Sequence, residues 1–107
     1  MSMHQIITMF NQPEDAAAFD KYFDEVHNPM AIKMPGLVRK TVCRPGPDAE
    51  GNAPPYHLIV VLEFPDEETM VSAIGSKEAQ ASGADLPNFA GAGFASVRGP
   101  ASVVVGA

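Results

Sequence analysis

The sequence predicts a single α+β domain with the element order β-α-β-β-α-β. Three observations point there. Four short runs are apolar and partly β-branched, the clearest being Tyr56 to Phe64. Two segments of helical spacing lie between them, each opened by Pro followed by acids at Pro13-Glu14-Asp15 and Pro65-Asp66-Glu67-Glu68. A polar loop over residues 45–55, dense in Pro and Gly, separates the two middle strands. The chain has 107 residues, 46% of them hydrophobic, so it fits one domain over 1–107.

The elements follow in order. Residues 3–10 form a first strand, closed by Asn11-Gln12-Pro13. In the helix that follows, Phe19, Phe23, Val26 and Met30 fall at i, i+4, i+7 and i+11 and form its apolar stripe. Pro29 lacks an N–H and crowds the preceding turn, so a break is expected near His27-Asn28. Asn28 caps a short second segment to about Met34, and Pro35-Gly36 ends it. Residues 37–44 form the second strand and 56–64 the third. Met70, Val71 and Ile74 are the stripe of the next helix, Gly75-Ser76 breaks it, and Ser76 caps a continuation from Lys77 to about Leu86. Residues 88–95 are Gly/Ala-rich, and a last strand covers 96–105.

This order is the ferredoxin-like or split βαβ pattern. It predicts a four-stranded antiparallel sheet in the order 4-1-3-2, with both helices on one face. The third strand offers Tyr56, Leu58, Val60, Leu62 and Phe64 to one side and His57, Ile59, Val61 and Glu63 to the other. Both sides are apolar, whereas a sheet covered on one face should alternate. An open apolar face of several hundred Å² marks an interface. The expectation is a homodimer, sheet against sheet.

A net charge of −6 and a pI near 4.8 argue against a nucleic-acid partner or an anionic membrane surface. No apolar run approaches the roughly 20 residues that span a bilayer, and Met1 to His4 lack the basic start of a signal peptide. One Cys allows no intrachain disulfide. A cytoplasmic location is expected. Cys43 has no activating neighbour in sequence and reads as buried and inert.

The helix Phe19 to Met30 with its His27-Asn28-Pro29, then Met34-Pro35-Gly36-Leu37, the strand start Tyr56 to Ile59, and Asp85-Leu86-Pro87-Asn88-Phe89 together resemble the EthD-like family of the dimeric α+β barrel superfamily. The resemblance spans Met3 to Val105. It implies ferredoxin-like protomers whose two sheets face each other in a dimer, and a small-molecule cavity between sheet and helices. The family takes its name from a protein associated with ethyl tert-butyl ether degradation. The superfamily includes cofactor-independent monooxygenases, isomerases and dehydratases, so fold does not select a reaction. The expected ligand is a small apolar or aromatic organic molecule, with no cofactor and no metal. A ligand carrier or assembly protein is the alternative, with haem handling behind it.

His27 is the candidate catalytic residue. At a helix break its ring can point beneath the sheet, and neutral imidazole is the usual general base near pH 7. The other role open to it is capping the broken helix. Tyr56 and His57, adjacent on a strand, should face opposite sides, and Tyr56 is favoured for the cavity because it can stack on a flat ligand. An edge position beside the proline-rich loop is equally open to Tyr56. Tyr22 either reaches the cavity or covers the helix. Phe23, Met30 and Phe89 complete the expected walls, Met and Phe tolerating flat ligands; most of the large apolar residues, Phe94 and Met34 among them, should be core. His57 should lie at the opposite end from His4 and His27, so the three imidazoles should not converge on a metal. Glu63 is placed to orient His27, or else to face water or a partner.

Overall fold

The computed structural model describes residues 3–106. Strands β1 (Met3–Asn11), β2 (Arg39–Cys43), β3 (Tyr56–Phe64) and β4 (Phe94–Ala101) form one antiparallel sheet in the order β2-β3-β1-β4. That is the expected 4-1-3-2 order read from the other edge. Helix α1 (Ala16–Tyr22) runs into a π-turn (Phe23–His27) and α2 (Asn28–Ala31). On the same side lie α3 (Glu67–Ile74), α4 (Lys77–Asp85) and a 3-10 turn (Leu86–Asn88). Asp15, Asp66 and Ser76 start α1, α3 and α4 by accepting from the N–H three residues on, at 3.0, 2.8 and 3.1 Å. Gly36 turns the chain toward β2 at a φ of +78°, where a Cβ would lie 2.3 Å from the Thr69 methyl.

The core fills the space between sheet and helices. Phe10, Leu58, Val60, Leu62 and Phe64 point up from β1 and β3, and Phe19, Phe23, Met70 and Ala73 point down. Each fully buried Phe or Leu contributes roughly 1.5–3 kcal/mol by leaving water.

The first helix differs from its sequence reading. Its buried positions are Phe19, Phe23, His27 and Ala31, every fourth residue. Val26 is 43% exposed and Met30 only half-buried, so neither belongs to the stripe. Steps of four drift about 40° each around a regular α-helix. The wider π-turn takes up that drift and carries His27 inward where Val26 would have been. There is no break at His27-Asn28. Asn28 stays helical, donates its N–H to the Phe23 carbonyl and caps nothing. A proline ring crowds the carbonyl four residues back, and widening the turn before Pro29 accommodates it without ending the helix.

Other expectations are corrected. Val71 is 57% exposed, and Met70 with Ala73 forms the buried face of α3. Phe94 begins the last strand and is 43% exposed, while Val103 to Val105 lie outside the strand in water. Cys43 is exposed, because it ends the edge strand β2 on the side away from the helices. Of the places open to Glu63, it takes the face away from His27. It is buried on the helix-free face, held by Arg39 at 2.5 and 3.1 Å and by Gln5 at 3.5 Å.

The helix-free face carries Ile7, Met9, Ile59 and Val61, half-buried, and Val97, 54% exposed. The described residues provide no second helical layer over it. No helix among them is long and apolar enough to cross a membrane.

Candidate functional site

The site begins at the π-turn. It places the His27 ring between sheet and helices, 4.6 Å from the Phe89 ring centroid and 5.9 Å from that of Phe23. The last residue of α4 comes to meet it. His27 Nδ1 lies 2.9 Å from Asp85 Oδ2, and both side chains are 7% exposed. Asp85 Oδ1 accepts from the Tyr22 hydroxyl at 2.5 Å and from the Asn88 amide at 2.9 Å. The Tyr22 hydrogen bond, ahead of those from Asn88 and His27, holds the Asp85 carboxyl below its ordinary range. Asp85 is therefore a carboxylate that can only accept, and His27 Nδ1 must carry the proton.

Burial lowers the His27 pKa below its ordinary 6.5, against the pull of Asp85 and with help from the Lys40 charge. A neutral ring with its proton on Nδ1 leaves a lone pair on Nε2. No described residue hydrogen-bonds to that nitrogen. This is the electronic state a general base requires.

His27 lines a cavity of about 270 Å³. The sheet supplies Ile6, Thr8, Val60, Leu62 and Phe94, the helical segments supply Phe23, Ile74 and Leu86, and Met34 joins them from the loop after α2. Few polar side chains enter, among them Lys40, Ser82 and Ser96. Mostly apolar walls with a few convergent polar groups are the usual make-up of a small-molecule site. A larger groove of about 530 Å³ runs outside the Tyr22–Phe89 stack; its ionisable lining is Glu14, Asp15 and Tyr22, with no histidine.

The structure brings together part of the expected set. Phe23 lines the cavity with His27. Tyr22 and Phe89 stack on each other at 5.4 Å and back the His27–Asp85 pair, facing the outer groove rather than the cavity. Met30 and Tyr56 do not line it. At the start of β3 a register shift opposite Phe10 and Asn11 upsets the alternation. His57, not Tyr56, turns toward α1, meeting the Phe19 ring at 5.1 Å and Asp20 at 2.7 Å. Each histidine has its own carboxylate, His4 that of Glu67, and no three His, Cys, Asp or Glu gather as metal ligands among the described residues.

Two residues of the site escaped the sequence reading. Asp85 sits in a segment already singled out, where only Phe89 was given a role. Lys40 shares strand parity with the inward Val42, a cation where an apolar residue was due.

The EthD domain matches residues 6–93 of the chain. The chain belongs to the EthD family. It is 30% identical over 91 residues to an uncharacterised 11.0 kDa protein from the thcB–thcC intergenic region of Rhodococcus erythropolis, covering 85% of this chain and 87% of that one. An EthD family protein from Bacillus halodurans superposes with a TM-score of 0.85 at 32% identity, covering 91% of this chain and 96% of that one. The fold is shared more widely. SnoaB, a cofactor-independent oxygenase from Streptomyces nogalater, matches with a TM-score of 0.63 at 15% identity over 99% and 97% of the two chains. A dimeric ferredoxin-like protein of unknown function from Thermobifida fusca matches at 0.67 and 15% identity over 92% and 90%.

Proposed function

We propose that this EthD family chain forms a cytoplasmic homodimer, each subunit binding a small, largely apolar or aromatic organic molecule beside His27. His27 Nε2 removes a proton from an activated carbon or hydroxyl of that molecule, without a metal or organic cofactor. The carrying observation is His27, its Nδ1 2.9 Å from buried Asp85, in the wall of a mostly apolar cavity. The electrons left on the substrate then choose the outcome. Return of the proton elsewhere is isomerisation, expulsion of hydroxide is dehydration, and transfer of the electrons to dioxygen is oxidation. The fold likeness to a cofactor-independent oxygenase is compatible with the last of these.

The dimer is supported by Ile7, Met9, Ile59, Val61 and Val97 on the helix-free face, and by the dimeric ferredoxin-like protein of the same fold. Light scattering is expected to give a mass near twice 11.3 kDa.

The same walls would serve a carrier without turnover, and one measurement separates the two. The probe is 2-tetralone in D2O, followed by NMR. The protein is expected to accelerate exchange of the protons beside the carbonyl, and His27→Ala to lose on the order of 100-fold of that acceleration. Binding of 2-tetralone without faster exchange would establish the carrier instead. Undiminished exchange in His27→Ala would remove His27 from the chemistry.

A further inference from the structure

Lys40 points toward the helices without a carboxylate partner among the described residues. It lies on β2 directly opposite Leu62, on the side of the sheet that faces the helices. Its neighbours Arg39 and Thr41 face the other way and are exposed. Its amine sits 5.3 Å from the centroid of the buried Phe23 ring, and the residue lines the same cavity as His27. It makes no ion pair among the described residues. The carboxylate closest to the site in role, Asp85, is already engaged by His27, Tyr22 and Asn88. An ammonium half-removed from water with only a ring face for company is an uncompensated charge.

We propose that Lys40 Nζ forms an oxyanion site in the cavity, so that the ligand is an apolar or aromatic frame bearing one carboxylate, phenolate or enolisable carbonyl oxygen. This rests on the reading of His27 as the base, and it narrows the ligand that reading allows. The two groups divide the work. His27 Nε2 takes the proton, the C–H or O–H electron pair moves onto the ligand oxygen, and the Lys40 ammonium donates a hydrogen bond to that oxygen. Burial brings the Lys40 pKa down to about 8, so the amine is still mostly protonated at neutral pH and gains most when an anion arrives. The Lys40 charge also helps keep His27 unprotonated, which a carboxylate in the same position would oppose. The remaining polar side chains of the cavity, Thr8, Ser82 and Ser96, carry no charge.

The test uses two probes of one shape, 2-naphthoate and 2-naphthalenemethanol, followed by their own fluorescence, since the chain has no Trp. The wild type is expected to bind the carboxylate about tenfold or more tightly than the alcohol, as a charge-assisted hydrogen bond requires. Lys40→Met should lose that preference while keeping the alcohol affinity, which also shows that the variant is folded. Lys40→Gln provides a second variant should Met repack the cavity. Equal affinity for the two probes in the wild type, or an unchanged preference in both variants, overturns the proposal. His27→Gln separates this from the base reading. It should abolish 2-tetralone exchange yet retain the naphthoate preference. Exchange without a preference would sink the role of Lys40 alone; a Lys40-dependent preference without exchange would sink the base alone. Failure of both probes to bind the wild type would overturn both.

Discussion

Two histidine–carboxylate pairs of similar length lie along the same helix and have different capabilities. His27 and Asp85 are 2.9 Å apart, and His57 and Asp20 are 2.7 Å apart. Distance does not separate them; surroundings do. The first pair is 7% exposed on both sides, whereas His57 is 19% and Asp20 40% exposed. Asp85 accepts from three side chains, Asp20 from one. His27 borders a cavity that also holds a cation, and His57 packs edge-on against the core ring of Phe19. A histidine beside a carboxylate is therefore not yet a site. Burial that fixes the protonation state, donors that fix the carboxylate and a space that admits a ligand make the difference.

The largest expected contrast is in stability. Asp85→Ala strands His27 Nδ1, Tyr22 and Asn88 at once, and loss of a buried multi-donor acceptor should cost about 2–4 kcal/mol. Asp20→Ala removes a partner that water can replace and should cost less than about 1 kcal/mol. Urea unfolding of the two variants measures the gap. Equal costs would show that the two pairs are of one kind.

A smaller contrast lies in the pH dependence. The His27 pKa is lowered in the folded state, so below 6.5 the unfolded chain takes up the proton first. His27 thus contributes stability that is present above that value and lost as the pH falls toward the folded pKa. Asp85, also lowered, contributes stability present above 3.8 and lost below it. The wild type should lose more unfolding free energy than His27→Gln between about pH 7 and about pH 5. A wild-type slope no steeper than that of His27→Gln would mean that burial does not hold His27 neutral.

The fold was legible because it depends on residue type and order. Apolar runs, Pro-acid starts and the loop at 45–55 suffice to place four strands and two helical segments. The site was half legible. His27 could be found because Pro29 announces an irregularity two residues later, but its nature could not. A search for apolar spacing selects Val26 and Met30 and passes over a buried His at the same face. Pro29 can be accommodated by ending the helix or by a wider turn, and the π-turn that reverses this choice is selected by the packing of its buried face, which no local pattern records. Asp85 and Lys40 escaped for a related reason. A carboxylate at the end of a polar helix and a lysine on an edge strand both look solvated until another element closes over them. The exchange of Tyr56 for His57 came from one register shift, and strand parity inverts wherever such a shift occurs.

The smallest expected effect tests how far the buried pair is tuned from outside. Tyr22 lines the outer groove and donates to the Asp85 oxygen that His27 does not use. That bond is the largest cause holding the Asp85 carboxyl low, and Asp85 in turn raises the Tyr22 hydroxyl. Tyr22→Phe keeps the stack on Phe89 and removes the donor alone. Asp85 should then titrate at higher pH, visible in carboxyl 13C NMR, and acid unfolding should begin earlier. Stability at neutral pH should change little, because Asn88 and His27 still satisfy the carboxylate. Exchange of 2-tetralone should fall only modestly, since the tautomer of His27 is fixed by Oδ2 and not by Oδ1. A collapse of exchange comparable to that of His27→Ala would instead place the hydroxyl itself in the chemistry. The working unit would then be the His27–Asp85–Tyr22 chain rather than the pair.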